Sequence, residues 1–105
     1  KDYPQLQKND QVNYALGESY YQTNQWDAAL KPLNAAAAIN GNYQSDALLR
    51  LAQIYLNKNQ ITEAKLSLEA LYNNTSNLAY QSFAEIHLMR IYAKEKNTKA
   101  TELKF

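Results

Sequence analysis

The sequence predicts an all-α fold in which helical hairpins stack into a superhelix, an α-solenoid. Apolar residues recur at helical spacing through most of the chain, which has only two glycines and two prolines in 105 residues. The same order of residue types also returns about every 35 residues. One hairpin is too small to bury both of its apolar faces, so we expect neighbouring copies to cover each other.

The clearest hairpin lies at residues 48–71. In its first helix, apolar residues from Leu48 to Tyr55 follow the spacing i, i+3, i+4, i+7, which places them on one helix face. Four polar residues at 57–60 then break the pattern, and asparagine tolerates the left-handed conformation that ends many helices. We therefore predict a tight turn there, followed by an antiparallel second helix in which the small residue Ala64 faces the first.

Copies of this hairpin lie on both sides of it. Seven of its positions have counterparts 35 residues upstream, at Leu16, Gly17, Tyr20, Trp26, Ala29, Leu33 and Ala36. Three positions have counterparts 37 residues downstream, at Leu88, Met89 and Tyr92. Ala100 would match Ala64 if one turn residue were deleted. Three copies at a nearly constant period are hard to obtain by chance.

Taken in order, the elements are helices separated by short polar stretches. We predict helices from Asp10 to about Thr23, from Trp26 to Ile39, from Ser45 or Asp46 to Asn57, from Thr62 to Tyr72, and from Leu78 to Lys94, with a sixth starting after Thr98. The first helix is predicted to begin between Leu6 and Asp10, with Asp10 favoured as its N-cap, and Tyr3-Pro4 before it is predicted to be extended. Pro32 is expected to kink the second helix without breaking it.

The residue types in the first copy resemble the tetratricopeptide repeat. The order Leu-Gly, Tyr, aromatic, Ala, large apolar, Ala is that family's pattern, and residues 16–36 follow it with the family's spacing. The second copy has Ala52 for the glycine and Ile61 for the aromatic residue, and the third departs further, with Met89 for the small residue. The resemblance implies a right-handed superhelix of about three hairpins. A narrower likeness, to bacterial envelope members of the family, rests on the segments KDYP and LGESYY.

From this resemblance we expect one domain of three units, at about residues 10–40, 45–73 and 78–105. We also expect the chain to be part of a longer repeat array, because 99–105 resembles the start of an interrupted second helix. The envelope likeness favours a bacterial periplasmic or envelope-associated location and leaves the cytoplasm open.

Composition limits the kinds of function. The chain has no cysteine and one histidine, and its net charge of +1 lacks the basic excess of a nucleic-acid binder. It shows no nucleophile motif, Gly-rich phosphate loop or catalytic carboxylate pair, and no apolar run long enough to span a membrane. His87 has no Cys or acidic cluster with which to bind a metal. We therefore predict a protein that is not an enzyme and has no cofactor or metal.

The resemblance also implies a binding groove, since the first helix of each unit lines the concave side in this family. By position, the groove residues are Tyr14, Glu18, Tyr21, Gln22, Leu49, Arg50, Gln53, Asn57, His87, Arg90 and Lys94, with Phe83 beside them. A mixture of aromatics, amides and cations suits an extended or helical peptide. Ordinary helix surface is the alternative interpretation. The carboxylate clamp of some members is absent, because Tyr14, Glu18, Phe83 and His87 stand at its positions.

The predicted function is therefore a protein–protein interaction scaffold that holds a segment of another protein in its groove. The alternative is a structural module that self-associates through its terminal helices into a homo-oligomer, with no peptide ligand.

Overall fold

Five α-helices follow one another along the part of the chain that the structure describes. This computed structural model describes residues 9–103, with side chains as far as Lys96. The helices are α1 (Asp10–Gln22), α2 (Trp26–Ala37), α3 (Gln44–Asn57), α4 (Ile61–Asn74) and α5 (Leu78–Leu103). No strand occurs among these residues, so the predicted all-α fold is confirmed. The predicted extended connection at Tyr3-Pro4 lies outside the described residues.

The two hairpin turns, α1–α2 and α3–α4, have the same geometry. Asn24 and Asn59, which are 35 residues apart, both have positive φ, at 61° and 59°. The next residue donates its backbone N–H to the carbonyl of Tyr20 in one turn and of Tyr55 in the other, at 2.8 Å in both. This is a Schellman motif, in which an asparagine takes the left-handed position usually held by glycine. The turn predicted at residues 57–60 is confirmed, and the α1–α2 turn repeats it.

Asparagine side chains cap α1 and α5 at their N-termini. The Oδ1 atom of Asn9 accepts the backbone N–H of Val12 at 3.0 Å, so the cap is Asn9 and the prediction of Asp10 as the cap was wrong. Asp10 is instead the first helical residue, where its charge suits the positive end of the helix dipole. At α5, the side chain of Asn77 accepts the N–H groups of Ala79 and Tyr80.

A single core runs through the stacked helices. The repeat predicts four pairs of equivalent positions on α2 and α4. Three of them are fully buried in both members, namely Ala29 and Ala64, Leu33 and Leu68, and Ala36 and Leu71, and the fourth, Trp26 and Ile61, is partly buried. The predicted role of Ala64 as a small residue in the hairpin interface therefore fits the structure. As predicted, α2 also continues through Pro32, which is itself buried.

Gly17 sets how closely α1 approaches α2. A Cβ atom at this position would lie only 2.5 Å from Cγ of Leu33, which is fully buried. The equivalent residue in α3 is Ala52, which is buried without such a conflict, and in α5 it is Met89, which is 62% exposed. The size of this residue therefore rises from one copy to the next.

Equivalent positions differ where a helix lacks a neighbour among the described residues. Leu51 is 2% exposed in α3, which packs against the preceding α2, but Leu16 in α1 is 45% exposed. Tyr20 and Tyr55 are partly buried against the core, whereas Tyr92 in α5 is 45% exposed. The sequence pattern repeats across all three copies, but burial also depends on which helices lie beside each copy.

The third copy does not form the hairpin that we predicted. Instead of ending near Lys94 and resuming after Thr98, α5 stays helical to Leu103. In the other two copies the left-handed asparagine comes four residues after the repeated tyrosine, but four residues after Tyr92 the chain has Lys96. A left-handed lysine is unfavourable, and residues 93–103 contain no glycine or proline to end the helix.

Candidate functional site

Helical spacing places a stripe of side chains on each of α1, α3 and α5, and contacts of Glu18 with Arg50 and of Asp46 with Tyr80 bring these stripes together. We call the surface that they form the α1–α3–α5 face. Its members are Tyr14, Glu18, Tyr21, Gln22, Tyr43, Asp46, Arg50, Gln53, Asn57, Tyr80, Phe83, His87, Arg90 and Lys94. Helix α1 packs against α3. The hydroxyl of Tyr80 on α5 donates a hydrogen bond to Asp46 of α3. The first helices of the three copies are therefore linked through this face.

The ion pair between Glu18 and Arg50 joins α1 to α3. Arg50 Nε lies 2.7 Å from Glu18 Oε1, and Nη2 lies 2.9 Å from Oε2, so the guanidinium holds the carboxylate with two parallel hydrogen bonds. Both side chains are only about a quarter exposed, at 25% and 23%. A bidentate pair of this kind fixes the orientation of both groups as well as attracting them.

Neighbouring side chains complete a network around this pair. Gln53 accepts a hydrogen bond from Arg50 Nη1 at 2.9 Å, and Gln22 donates to Glu18 Oε2 at 2.7 Å. The guanidinium carbon of Arg50 lies 4.4 Å from the ring centroid of Tyr21, within the range of a cation–π contact. Arg50 therefore uses all three of its nitrogens in hydrogen bonds to α1 and α3 and lies over an aromatic ring.

The network keeps its charges at neutral pH. Hydrogen bonds from Arg50 hold the pKa of the Glu18 carboxyl below its usual value, and the same contact raises the pKa of Arg50. Burial, with the charge of Glu18 beside it, raises the pKa of the Tyr14 hydroxyl. None of these groups titrates near pH 7, so the arrangement suits positioning and binding more than proton transfer.

Two further tyrosines extend the face beyond the ion pair. The rings of Tyr14 and Tyr43 are stacked, with centroids 5.6 Å apart and planes 28° from parallel. The hydrogen bond to Asp46 raises the pKa of Tyr80 to about 12, so its hydroxyl stays protonated and remains a donor. Asp46 has no salt bridge among the described residues, because Arg50 is held by Glu18.

The α5 part of the face carries rings and cations. Phe83 and His87 have ring centroids 4.4 Å apart at a tilt of 51°. Burial, and then the nearby charge of Arg90, lower the pKa of His87, which leaves its imidazole neutral at pH 7. Arg90 is exposed and has no acidic partner among the described residues, and Lys94, one turn further on, is exposed too.

The structure brings together six of the residues that the resemblance implied: Tyr14, Glu18, Tyr21, Gln22, Arg50 and Gln53. It places Leu49 differently, since that side chain is partly buried against the core. Asn57 is exposed at the end of α3, and His87, Arg90 and Lys94 lie along α5, apart from the network.

Sequence reasoning missed Tyr43, Asp46 and Tyr80. Asp46 precedes Arg50 by four residues on the same helix stripe, and Tyr80 precedes Phe83 by three on its own helix, so helical spacing alone contained the signal for both. Tyr43 lies before the start of α3, where spacing gives no such guide.

A second exposed surface lies away from this face. Tyr72 of α4 and the α5 residues Glu85, Leu88, Met89 and Tyr92 line an open apolar groove of about 180 Å³. The hydroxyl of Tyr92 donates to Glu69 at 2.5 Å, and Lys65, which pairs with Glu95 at 2.8 Å, lies 5.7 Å from the ring centroid of Tyr92, so polar contacts surround this lining residue. Within the described residues, no cluster of three acidic, histidine or cysteine side chains could hold a metal ion.

The match to a known protein family falls on the second hairpin. Residues 46–74 match the family model of the tetratricopeptide repeat. The match covers nearly all of α3 and α4 and supports the resemblance found from the residues. Tetratricopeptide repeats generally mediate protein–protein interaction and are typically non-enzymatic scaffolds.

No curated protein and no solved structure matches the chain. The narrower likeness to bacterial envelope proteins is not supported by any match. No helix among the described residues is both long and apolar enough to cross a membrane.

Proposed function

We propose that this chain is a protein-interaction scaffold whose α1–α3–α5 face binds a segment of another protein. The observation that carries the proposal is the network around Arg50, which holds aromatic, amide and charged groups in fixed positions on a partly exposed surface. Tyrosine and arginine are among the residues enriched at the energetic centres of protein interfaces. A bacterial periplasmic or envelope location stays a prediction from the sequence.

Binding would depend on a surface that is already in place. Because Glu18 and Gln53 fix Arg50, and Arg50 supports the ring of Tyr21, little side-chain freedom is left to lose when a partner arrives. The amides of Gln22 and Asn57 are exposed and can pair with the backbone of a bound segment. The rings of Tyr14 and Phe83 then offer apolar area to its side chains.

Selection from a random-peptide display library, with the chain as bait, tests this proposal. Selected peptides are measured against a face variant, Gln22→Arg with Asn57→Arg, which places two long charged side chains on the face. A matched control, Asn34→Arg with Thr62→Arg, adds the same charge at exposed positions of α2 and α4. Circular dichroism checks that both variants are folded.

We expect the face variant to lose at least about tenfold in affinity, and the control to stay within about twofold of the unsubstituted chain. Peptides that bind both variants equally well would contradict the proposal, as would a selection that enriches no peptide.

Self-association is the second candidate function, and the exposed apolar side chains of α5 favour it. Leu78, Ile86 and Met89 are 76%, 48% and 62% exposed, and Met89 also lines the groove beside Tyr72. If this surface builds an oligomer, sedimentation velocity will show a concentration-dependent dimer that Met89→Lys abolishes. A chain that stays monomeric at every concentration would rule this function out.

A further inference from the structure

The α1–α3–α5 face has opposite charges at its two ends along α5. At one end the carboxylate of Asp46 accepts the hydroxyl of Tyr80 and has no cationic partner among the described residues. At the other end Arg90 is exposed and has no acidic partner there. Ten residues of helix separate Tyr80 from Arg90, which corresponds to about 15 Å along the axis.

Between the two charged ends lies a largely uncharged strip. Phe83 and His87 place their rings together, and the neutral imidazole adds an aromatic surface there at neutral pH. The charges of Glu18 and Arg50 on the neighbouring helices neutralise each other. The face therefore presents one acidic group, then a largely uncharged strip, and then a basic end with Arg90 followed by Lys94.

We propose that the segment bound by this face carries a basic residue and an acidic residue on either side of an apolar one, spaced to reach Asp46 and Arg90. An extended chain rises about 3.3 Å per residue, so a span of about 15 Å corresponds to four or five residues. The partner is thus an extended peptide with a lysine or arginine at position i, an apolar side chain near i+2, and a glutamate or aspartate at i+4 or i+5. This inference rests on the proposed function and specifies its ligand.

Charge complementarity is the argument for this occupant. A basic side chain beside Asp46 gains a partner that the folded chain does not supply, and an acidic one beside Arg90 does the same. A uniformly acidic or uniformly basic segment would face repulsion at one end. Surface ion pairs are individually weak, so spacing decides selectivity while the rings and the Arg50 network contribute area.

Two synthetic peptides with blocked termini and identical composition test the spacing. In the spaced peptide, lysine and glutamate are five residues apart around a leucine, in a glycine, serine and glutamine background. In the adjacent peptide they are neighbours. Fluorescence anisotropy at low ionic strength measures the affinity of the chain for each peptide. We expect the spaced peptide to bind about fivefold more tightly, with the difference shrinking as salt is added.

Variants of the chain test whether Arg90 causes the preference for the spaced peptide. Arg90→Glu should remove the preference for the spaced peptide and should favour a peptide in which a second lysine replaces the glutamate. Lys31→Glu makes the same change of charge at an exposed position of α2, outside the face, and should leave the preference intact. Circular dichroism again checks folding.

Equal affinity for the spaced and adjacent peptides would overturn the inference, and so would equal weakening by Arg90→Glu and Lys31→Glu. If the two peptides bind equally and the variant Gln22→Arg with Asn57→Arg abolishes both, the face binds peptides without this charge order, and only the inference fails. If neither peptide binds, the inference also fails, and the library selection then decides the proposed function separately.

Discussion

Arg50 has two roles in this protein, and both depend on the planar guanidinium. It joins α1 to α3 through two hydrogen bonds to Glu18, and it covers the ring of Tyr21 at 4.4 Å. An ammonium group on a flexible stem can reproduce the charge but not the paired geometry or the flat contact. Replacing Arg50 by lysine therefore keeps the positive charge but removes the paired hydrogen bonds and the flat contact with the ring.

We expect Arg50→Lys to lower the free energy of unfolding by about 1 kcal/mol, since the pair is partly exposed and solvent screens its charge. Urea denaturation followed by circular dichroism measures the change. Arg90→Lys makes the same change at a residue of α5 that has no salt bridge among the described residues, so it is the matched control and should change stability little. Equal effects of the two substitutions would show that the Glu18 contact contributes nothing specific.

Tyr80 gives the face a dependence on alkaline pH. Its folded pKa is about 12, against an ordinary value of 10.0, because the protonated hydroxyl donates to Asp46. A raised folded pKa means that this stabilisation is fully present below pH 10 and is lost as the pH rises from about 10 to 12. Unfolding free energies measured from pH 9 to 12 should fall more steeply for the unsubstituted chain than for Tyr80→Phe. Parallel curves would contradict this assignment.

The packing of the helices depends on one small residue in each of the two hairpins. Gly17 in α1 and Ala52 in α3 occupy equivalent positions, yet only the glycine leaves no room for a Cβ atom, because Leu33 lies against it. In α5 the equivalent residue is Met89, and α5 continues as one long helix to Leu103, with no second helix following it among the described residues. A methionine in this position is incompatible with the close approach that the other two hairpins use.

We expect Gly17→Ala to destabilise the chain by about 1–2 kcal/mol, despite the higher helix propensity of alanine, because Leu33 must move within a fully buried site. Thermal unfolding measures the loss. The reverse change in the second hairpin, Ala52→Gly, should cost about 1 kcal/mol through helix propensity. If Gly17→Ala instead stabilises the chain, α1 and α2 are not packed as closely as the structure shows.

At the scale of the whole molecule, the sequence predicted the features that depend on the local spacing of apolar and turn residues. The all-α fold, the turn at residues 57–60 and the burial of Leu33 and Leu68 follow from apolar periodicity and from asparagine at the turns. The exposure of Leu16 was not predicted, because it depends on which helices lie alongside α1. The continuation of α5 was not predicted, because the repeat pattern was extended to the third copy although Lys96 stands where the other copies have the turn asparagine. A repeat pattern specifies the residues of each copy, but it does not specify the neighbours that bury them.

The sequence predicted only part of the α1–α3–α5 face. Positions implied by the family resemblance included Glu18 and Arg50, and their spacing in sequence gave no sign of the bidentate pair that joins α1 to α3. That pair depends on the relative position of two helices, which only packing fixes. Asp46 went unnoticed because an acidic residue near a helix start has an adequate local role in stabilising the helix dipole.

Backbone amide chemical shifts, recorded while a selected peptide is added to the labelled chain, report which helices a ligand contacts. If the α1–α3–α5 face is the binding surface, the largest changes will lie around Gln22, Arg50 and Phe83, and α2 and α4 will change little. Changes concentrated on α2 and α4, or around Tyr72 and Met89, would contradict it.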